Sequence, residues 1–258
     1  MIRCENLTKI FGDSVVLDNV SFSVSKGEIF SIVGPSGTGK SVTLKHLVGL
    51  FRPTSGKVFL QDEEVSSASG KKLEKIRERF GYLFQGGALL GWLSVAENVA
   101  LPLKELTRLK EDEINRQVMD ALDAVGLKDA ADLFPAEISG GMQKRAGLAR
   151  AIVRKCDIVL YDEPTSGLDP VTAITINNLI KRINKERGIT SIVVTHDLAN
   201  ALLFSDRIMM IKDSKVVINA TPDEFVASAN KDVQEFLDAQ FITEESYKRM
   251  KVEYEKKQ

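Results

Sequence analysis

The sequence predicts an α/β fold with a mainly parallel sheet, and three observations carry that prediction. Near-continuous apolar runs recur at Glu28–Val33 ("EIFSIV"), Gly81–Phe84, Asp157–Tyr161 and Ser191–Thr195, as in strands buried on both faces. Between the last two, Val171–Arg187 ("VTAITINNLIKRINKER") places Ile176, Leu179, Ile180 and Ile183 on one helical face, and Gly188 offers a stop. A glycine-rich stretch, Gly34–Ser41 ("GPSGTGKS"), joins the first apolar run to a segment where Leu44, Leu47 and Val48 recur at helical spacing. Strand, loop, helix and strand in this order specify a parallel α/β core.

The remaining elements follow along the chain. Val20–Val24 ("VSFSV") alternates apolar and polar residues, like a half-buried strand. Between Gly86 and Arg154 the pattern turns almost wholly helical, so an inserted helical lobe is expected at about 86–155. After Thr221 the chain is helical and increasingly charged. The expected division is one domain over 1–240 and a charged helical tail over 241–258. Glu244, Glu245, Lys248, Arg249 and Lys251 can pair at i,i+3 or i,i+4 spacing, and a solvated helix, frayed at its end, is the default there.

Composition narrows the class. The 258 residues are 43% hydrophobic and 28% charged, with a net charge of -1, so the basic excess of a nucleic-acid binder is missing. Cys4 and Cys156 sit in apolar runs and read as small buried residues, which fits a reducing compartment. The start, "MIRCENLTKIF", has no signal-peptide core, and no apolar run approaches the ~18 residues that span a bilayer. A membrane role therefore requires partners.

The chemistry concentrates at three places. Gly34, Gly39, Lys40 and Ser41 match G-x-x-x-x-G-K-[ST]. Glycines let backbone N–H groups face phosphate oxygens, and the following helix directs its positive dipole end at the anion. Lys40 can reach the β- and γ-phosphates, and the Ser41 hydroxyl can ligate Mg²⁺. "IVLYDEP" (Ile158–Pro164) ends an apolar strand with Asp162, placed to support Mg²⁺, and Glu163, placed to polarise the attacking water as general base. His196 in "THD" closes a third apolar strand, where ligands gather in parallel sheets, and is expected at the γ-phosphate. His46 has no such context and reads as a structural helix residue.

A fourth stretch supplies a resemblance. "ISGGMQKRAGLARAI" (Ile138–Ile152) resembles the signature of the ABC ATPases, the nucleotide-binding subunits of ABC transporters. The phosphate loop, Gln85 in "YLFQ", the signature, "LYDEP", "SGLDP" (Ser166–Pro170) and "THD" occur in that family's order. The likeness runs from Arg3 to about Leu237. It implies a P-loop core with an N-terminal antiparallel β part and an inserted helical lobe, and it implies ATP and Mg²⁺ as cofactors. By the resemblance, Gly34, Pro35, Ser36, Gly37, Thr38, Gly39, Lys40, Ser41 and Thr43 contact ATP, and Phe11 stacks on adenine, where tyrosine is common. Ser139, Gly140 and Gly141, at a second helix start, bind the γ-phosphate of ATP held by another copy. Asp169 lines the dimer seam, and Gln85 approaches Mg²⁺ and the water. The implied catalytic set is Glu163, His196 and Gln85, and the implied metal set is Ser41, Gln85 and Asp162.

Gly86-Gly87-Ala88-Leu89 after Gln85, and Met142 where most transporter ATPases have glutamine, resemble ATPases of lipid-trafficking systems of the Mla and mammalian-cell-entry (Mce) type. Ala220 departs from a frequent glycine of that group. The resemblance implies a homodimer on the cytoplasmic face of the inner membrane, held there by integral permease subunits. It further implies an Mce-type substrate-binding protein, sometimes with a small regulatory subunit, and movement of phospholipid or another hydrophobic substrate. A polar-solute importer, for example of amino acids, is the alternative. A soluble ABC ATPase of DNA repair or translation fits less well, because the chain has one cassette, no long heptad insertion and no basic surplus. Trp92, in the apolar segment Leu89–Leu103, is expected to be exposed and to anchor a partner helix. The tail from Phe241 is a second candidate contact with another copy.

Overall fold

The computed structural model describes residues 1–256. The chain divides into two compact units: Met1–Arg77 together with the chain from Ile192 on, and Glu78–Ser191.

The first unit opens with β1 (Ile2–Phe11), β2 (Ser14–Val24), β3 (Ile29–Val33), α1 (Lys40–Leu47), β4 (Ser55–Leu60), β5 (Glu63–Glu64) and α2 (Gly70–Arg77). β1 pairs antiparallel with β2 and β4, Cys4 facing Phe22 on one side and Val58 on the other, in a sheet of order β2-β1-β4-β5. This is the implied N-terminal antiparallel part. β3 is buried at all five positions, as its continuous apolar run requires.

The second unit contains β6 (Phe80–Leu83), α3 (Val95–Leu106), α4 (Glu111–Ala124), α5 (Gly140–Ile152), β7 (Ile158–Asp162) and α6 (Pro170–Arg187). β6 and β7 pair parallel, with Leu83 opposite Tyr161. α5 packs against α3, α4, α6 and β6. The helical stretch expected at about 86–155 is present as α3, α4 and α5, within a compact unit that also takes in β6, β7 and α6. A capping box between Ser94 and Glu97 starts α3. Asp169 caps the start of α6, and Gly188, at φ +62, ends it as the spacing predicts. Ile176, Leu179, Ile180 and Ile183 are all buried.

β8 (Thr190–Val194) crosses the boundary between the units. At its start Thr190 N donates to Asp157 O, just before β7; just past its end Thr195 N donates to Ile32 O on β3. The chain then completes the first unit with α7 (Leu198–Phe204), β9 (Arg207–Lys212), β10 (Lys215–Ala220), α8 (Pro222–Val226), α9 (Lys231–Asp238) and α10 (Glu244–Glu255). β9 runs parallel to β3, Val33 opposite Met210, and β10 returns antiparallel through a tight turn at Asp213 and Ser214, both at positive φ.

The tail departs from the expectation of a solvated helix. Ile242, Tyr247 and Tyr254 are buried, and the first two join a core with Leu198, Phe225, Val233 and Leu237. The charges that dominate the sequence lie on the outer face, as Glu244–Lys248 and Glu245–Arg249 pairs one turn apart. On the inner side the Tyr247 hydroxyl and Lys251 Nζ both bond Asp223. Two aromatics at 247 and 254, seven residues apart, sit on one helical face, and that spacing was the signal available in the sequence. Among the described residues no helix is long and apolar enough to cross a membrane.

Candidate functional site

The site residues fall into two groups, one in each unit. In the first unit, β3 delivers the chain into the loop Gly34–Gly39 and α1 takes it out. The glycines at both ends of the motif have steric causes. A Cβ on Gly34 would lie 2.1 Å from the Ile211 carbonyl oxygen, and one on Gly39 would lie 2.7 Å from that of Val16. Both residues also hold positive φ, +144 and +89. Gly39 thus starts α1 from a left-handed conformation that other residues enter only with strain.

Lys40 is buried and its Nζ donates to the carbonyls of Gly34 and Pro35, each at 2.8 Å, which folds the ammonium over its own loop. Pro35, Ser36 and Gly37 are exposed at the loop crest, with Thr38 half-buried and bonded to the Pro35 carbonyl at 2.9 Å. Ser41 is half-buried in the first turn of α1. Thr43 is placed otherwise than expected. It is 0% exposed, and its hydroxyl donates to the Gly39 carbonyl at 3.0 Å, so it props the loop from beneath instead of facing a ligand.

Phe11 is exposed at the end of β1, set edge-on to Phe51 with Lys9 Nζ 4.7 Å above its ring. A flat face flanked by a cation suits stacking on a base. His196 is exposed in the turn after β8. Gln240, between α9 and α10, fixes that turn: its Nε2 donates to the His196 carbonyl at 3.1 Å, and its Oε1 accepts from Leu198 N at 3.0 Å. The sequence reading missed Gln240, because a glutamine 44 residues away carries no local sign of such a role. His46 is buried with Nδ1 2.7 Å from the Val42 carbonyl, a structural helix residue as expected.

In the second unit, β7 ends in Asp162 and the chain turns at Glu163, which holds φ +51. A residue with a Cβ pays about 1–2 kcal/mol to sit there. Such strain concentrates at functional positions. Both residues are largely buried. The Tyr82 hydroxyl bonds Asp162 Oδ2, and burial together with the Asp162 charge raises the phenol well above its ordinary range, keeping it a donor. Lys144 of α5 donates to the Glu163 carbonyl. Neither Tyr82 nor Lys144 was singled out in the sequence, since each meets its carboxylate only through folding.

Ser139 is exposed at the start of α5, and its Oγ accepts from Met142 N at 3.2 Å, the expected helix cap. Gly140 is exposed and Gly141 buried; a Cβ on Gly141 would lie 2.7 Å from Thr172 Cγ2, so a larger residue there would have to displace the Thr172 side chain at the start of α6. Asp169 is exposed and accepts from Val171 N and Thr172 N, both at 3.0 Å. The Thr172 hydroxyl and these amides hold its carboxyl below the usual range. Gln85 is exposed just past β6. Trp92 is 74% exposed, as expected, in a loop pinned by the buried Asn98, which bonds Leu90, Leu93 and Ser94. Cys4 is buried and Cys156 half-buried; both are free thiols, and burial pushes Cys156 up to about 11.

Residues 17–166 match the family model described as ABC transporter. The intermembrane phospholipid transport system ATP-binding protein MlaF of Haemophilus influenzae is 42% identical over 92% of this chain and 90% of its own. The probable ribonucleotide transport ATP-binding protein mkl of Mycobacterium tuberculosis is 42% identical over 93% of this chain and 67% of its own. Among solved structures, the ATP-binding cassette MJ0796, a dimer in a post-hydrolysis state bound to ADP and Pi, is 35% identical with a TM-score of 0.78, over 86% of this chain and 99% of that one. CbiO1 of Clostridium perfringens, part of the ABC transporter complex cbiONQ, is 30% identical with a TM-score of 0.82, over 93% and 94%. With the phosphate loop, the strand-end carboxylates and the capped glycine signature in place, this chain belongs to the ABC transporter family, as an ATP-binding cassette ATPase subunit.

Proposed function

We propose that the chain hydrolyses ATP to drive a membrane permease that moves phospholipid or another hydrophobic molecule. The strained, buried Glu163 at the end of β7 is the observation that supports the hydrolytic role. Its carboxylate is the general base that orients and deprotonates water. The first unit supplies phosphate binding: main-chain N–H groups of the loop, the start of α1 and the Lys40 ammonium. His196 contacts the γ-phosphate, and Phe11 stacks on the adenine.

Mg²⁺ takes oxygen donors, commonly one or two carboxylates plus substrate phosphates rather than an all-protein cage. Asp162, the Ser41 hydroxyl and the Gln85 amide oxygen are donors of that kind. When bound, the ion neutralises charge on the phosphates.

The protein works as a homodimer in which Ser139, Gly140 and Gly141 of one copy meet the ATP of the other. The dimeric cassette among its structural relatives supports this reading. Permease subunits hold the dimer at the cytoplasmic face of the inner membrane, with Trp92 and Gln85 on the coupling side. An Mce-type substrate-binding protein and a small regulatory subunit complete the assembly. The lipid substrate rests on likeness to MlaF proteins over most of both chains. Equal identity to mkl makes a ribonucleotide the second reading.

Gentle detergent purification from the native membrane, with mass spectrometry of proteins and bound small molecules, tests the assignment. Recovery with a multi-span permease, an Mce-domain protein and phospholipid is expected. A permease with bound nucleotide-like solute would transfer the substrate to the second reading, and recovery with ribosomes or DNA alone would defeat the transporter.

A further inference from the structure

Lys144 lies on α5, five residues after Ser139, and is 6% exposed. Its Nζ donates to the main-chain carbonyl of Glu163 at 3.3 Å. Burial pushes the ammonium below the ordinary lysine range, while the charges of Glu163 and then Asp162 pull it back up. A charge taken out of water is tolerated where it meets opposite charge and hydrogen-bond acceptors, and Lys144 has both.

Glu163 holds φ +51 and needs an external hold. Left-handed backbone at a residue with a side chain persists only when neighbouring bonds over-determine it. Its carbonyl accepts from Ser166 N at 3.2 Å, in the same turn, and from Lys144 Nζ, on a different element. The turn is therefore anchored to α5 by Lys144. The same helix also grips the segment after Gln85. Arg150 donates to the carbonyls of Gly87 at 2.6 Å and Ala88 at 2.7 Å, and Gly147 lets the backbones approach, since a Cβ there would lie 3.1 Å from the Gly87 oxygen.

We propose that Lys144 is a positioning residue for ATP hydrolysis: it pins the Glu163 carbonyl to the signature helix, and so ties the aim of the Glu163 carboxylate to the seating of α5. The idea rests on Glu163 being the general base. It makes that hydrogen bond a link through which a shift of α5, when Ser139 and its glycines engage phosphate, reaches the hydrolytic carboxylate.

The test is steady-state ATPase kinetics, equilibrium ATP binding and ATP-driven dimerisation on the full chain. Lys144→Met keeps length and apolar stem but removes the donor. Its kcat should fall about 10–100-fold, with ATP affinity and dimerisation within about twofold, the pattern of a contact that acts in the chemical step. Lys144→Gln and Lys144→Arg retain a donor and should recover most of the rate. A wild-type rate in Lys144→Met, no recovery in Gln and Arg, or a kcat loss matched by equal loss of ATP affinity would each overturn the proposal. Should Lys144→Met not fold, Lys144→Ala, too short to reach the carbonyl, replaces it. Glu163→Gln measured alongside separates the two ideas, because a wild-type rate there defeats the general base whatever the Lys144 series shows.

Discussion

The Tyr82 hydroxyl donates to Asp162 Oδ2 at 3.2 Å, joining β6 to the end of β7 at the carboxylate expected to support Mg²⁺. Outer-shell bonds of this kind orient a ligand carboxylate and tune its affinity. Tyr82→Phe removes the bond and little else. The Mg²⁺ concentration that half-saturates ATPase activity should rise about 10–100-fold, the scale of a lost outer-shell bond to a metal ligand. A magnesium titration that superimposes on wild type would reduce Tyr82 to a packing residue.

Lys40→Ala removes the ammonium folded over Gly34 and Pro35. Charge-assisted bonds to phosphate contribute roughly 1.5–3 kcal/mol, so ATP affinity should fall by at least about tenfold. Fluorescent-nucleotide binding at equilibrium reads this directly, and unchanged affinity would remove Lys40 from the phosphate site.

Glu163→Gln is nearly isosteric and retains the same backbone demands at φ +51. ATP should bind normally while hydrolysis falls roughly 10²–10⁴-fold, the usual contribution of a general base. Single-turnover assays distinguish the two effects. Hydrolysis at the original rate would assign the water to another residue.

Ser139→Arg places a bulky cation at the exposed cap of α5 and deletes the bond to Met142 N. Dimer formation with ATP, followed by light scattering in a hydrolysis-deficient background, should be abolished, while the monomer binds ATP as before. Normal dimerisation would contradict a site shared between two copies.

Deleting residues from Phe241 on removes Ile242 and Tyr247 from the first unit's core, and burial of each such side chain contributes about 1.5–3 kcal/mol. Thermal unfolding should begin several degrees lower, and the His196 turn, held by the adjacent Gln240, should exchange its amide hydrogens faster. Unchanged melting and exchange would return the tail to a surface role. The sign of the pH effect follows from Asp223, whose carboxyl is held below its ordinary value by Lys251 and then Tyr247. That group adds stability above its unfolded pKa and loses it as pH falls through the lower folded value. Its exposure keeps the effect small. Asp223→Asn should therefore destabilise slightly at neutral pH, and the difference from wild type should close in strong acid.

Local features made much of this protein legible before folding. β3, β7 and β8 are buried on both sides, so their sequences are almost unbroken apolar runs. The ends of α6 are written at Asp169 and Gly188, where a capping carboxylate and a left-handed glycine act within one turn. Gly34 and Gly39 mark the phosphate loop because no other residue fits against Ile211 and Val16. Thr43 and the tail were less legible for opposite reasons. Thr43 sits one turn from a binding motif yet faces inward, and the tail's many charges mask two buried tyrosines.

Residue patterns along the chain were enough for the strands β3, β6, β7 and β8, the helix α6, the phosphate loop, the strand-end carboxylates and the glycine signature, since each depends on residues within a turn or a strand of one another. It took the packed fold to show that Lys144 bonds Glu163 across 19 residues, that Tyr82 reaches Asp162 across 80, and that Gln240 braces His196 across 44. Such pairings follow from how whole elements pack, and nothing in the local pattern of either partner records which distant element will lie against it.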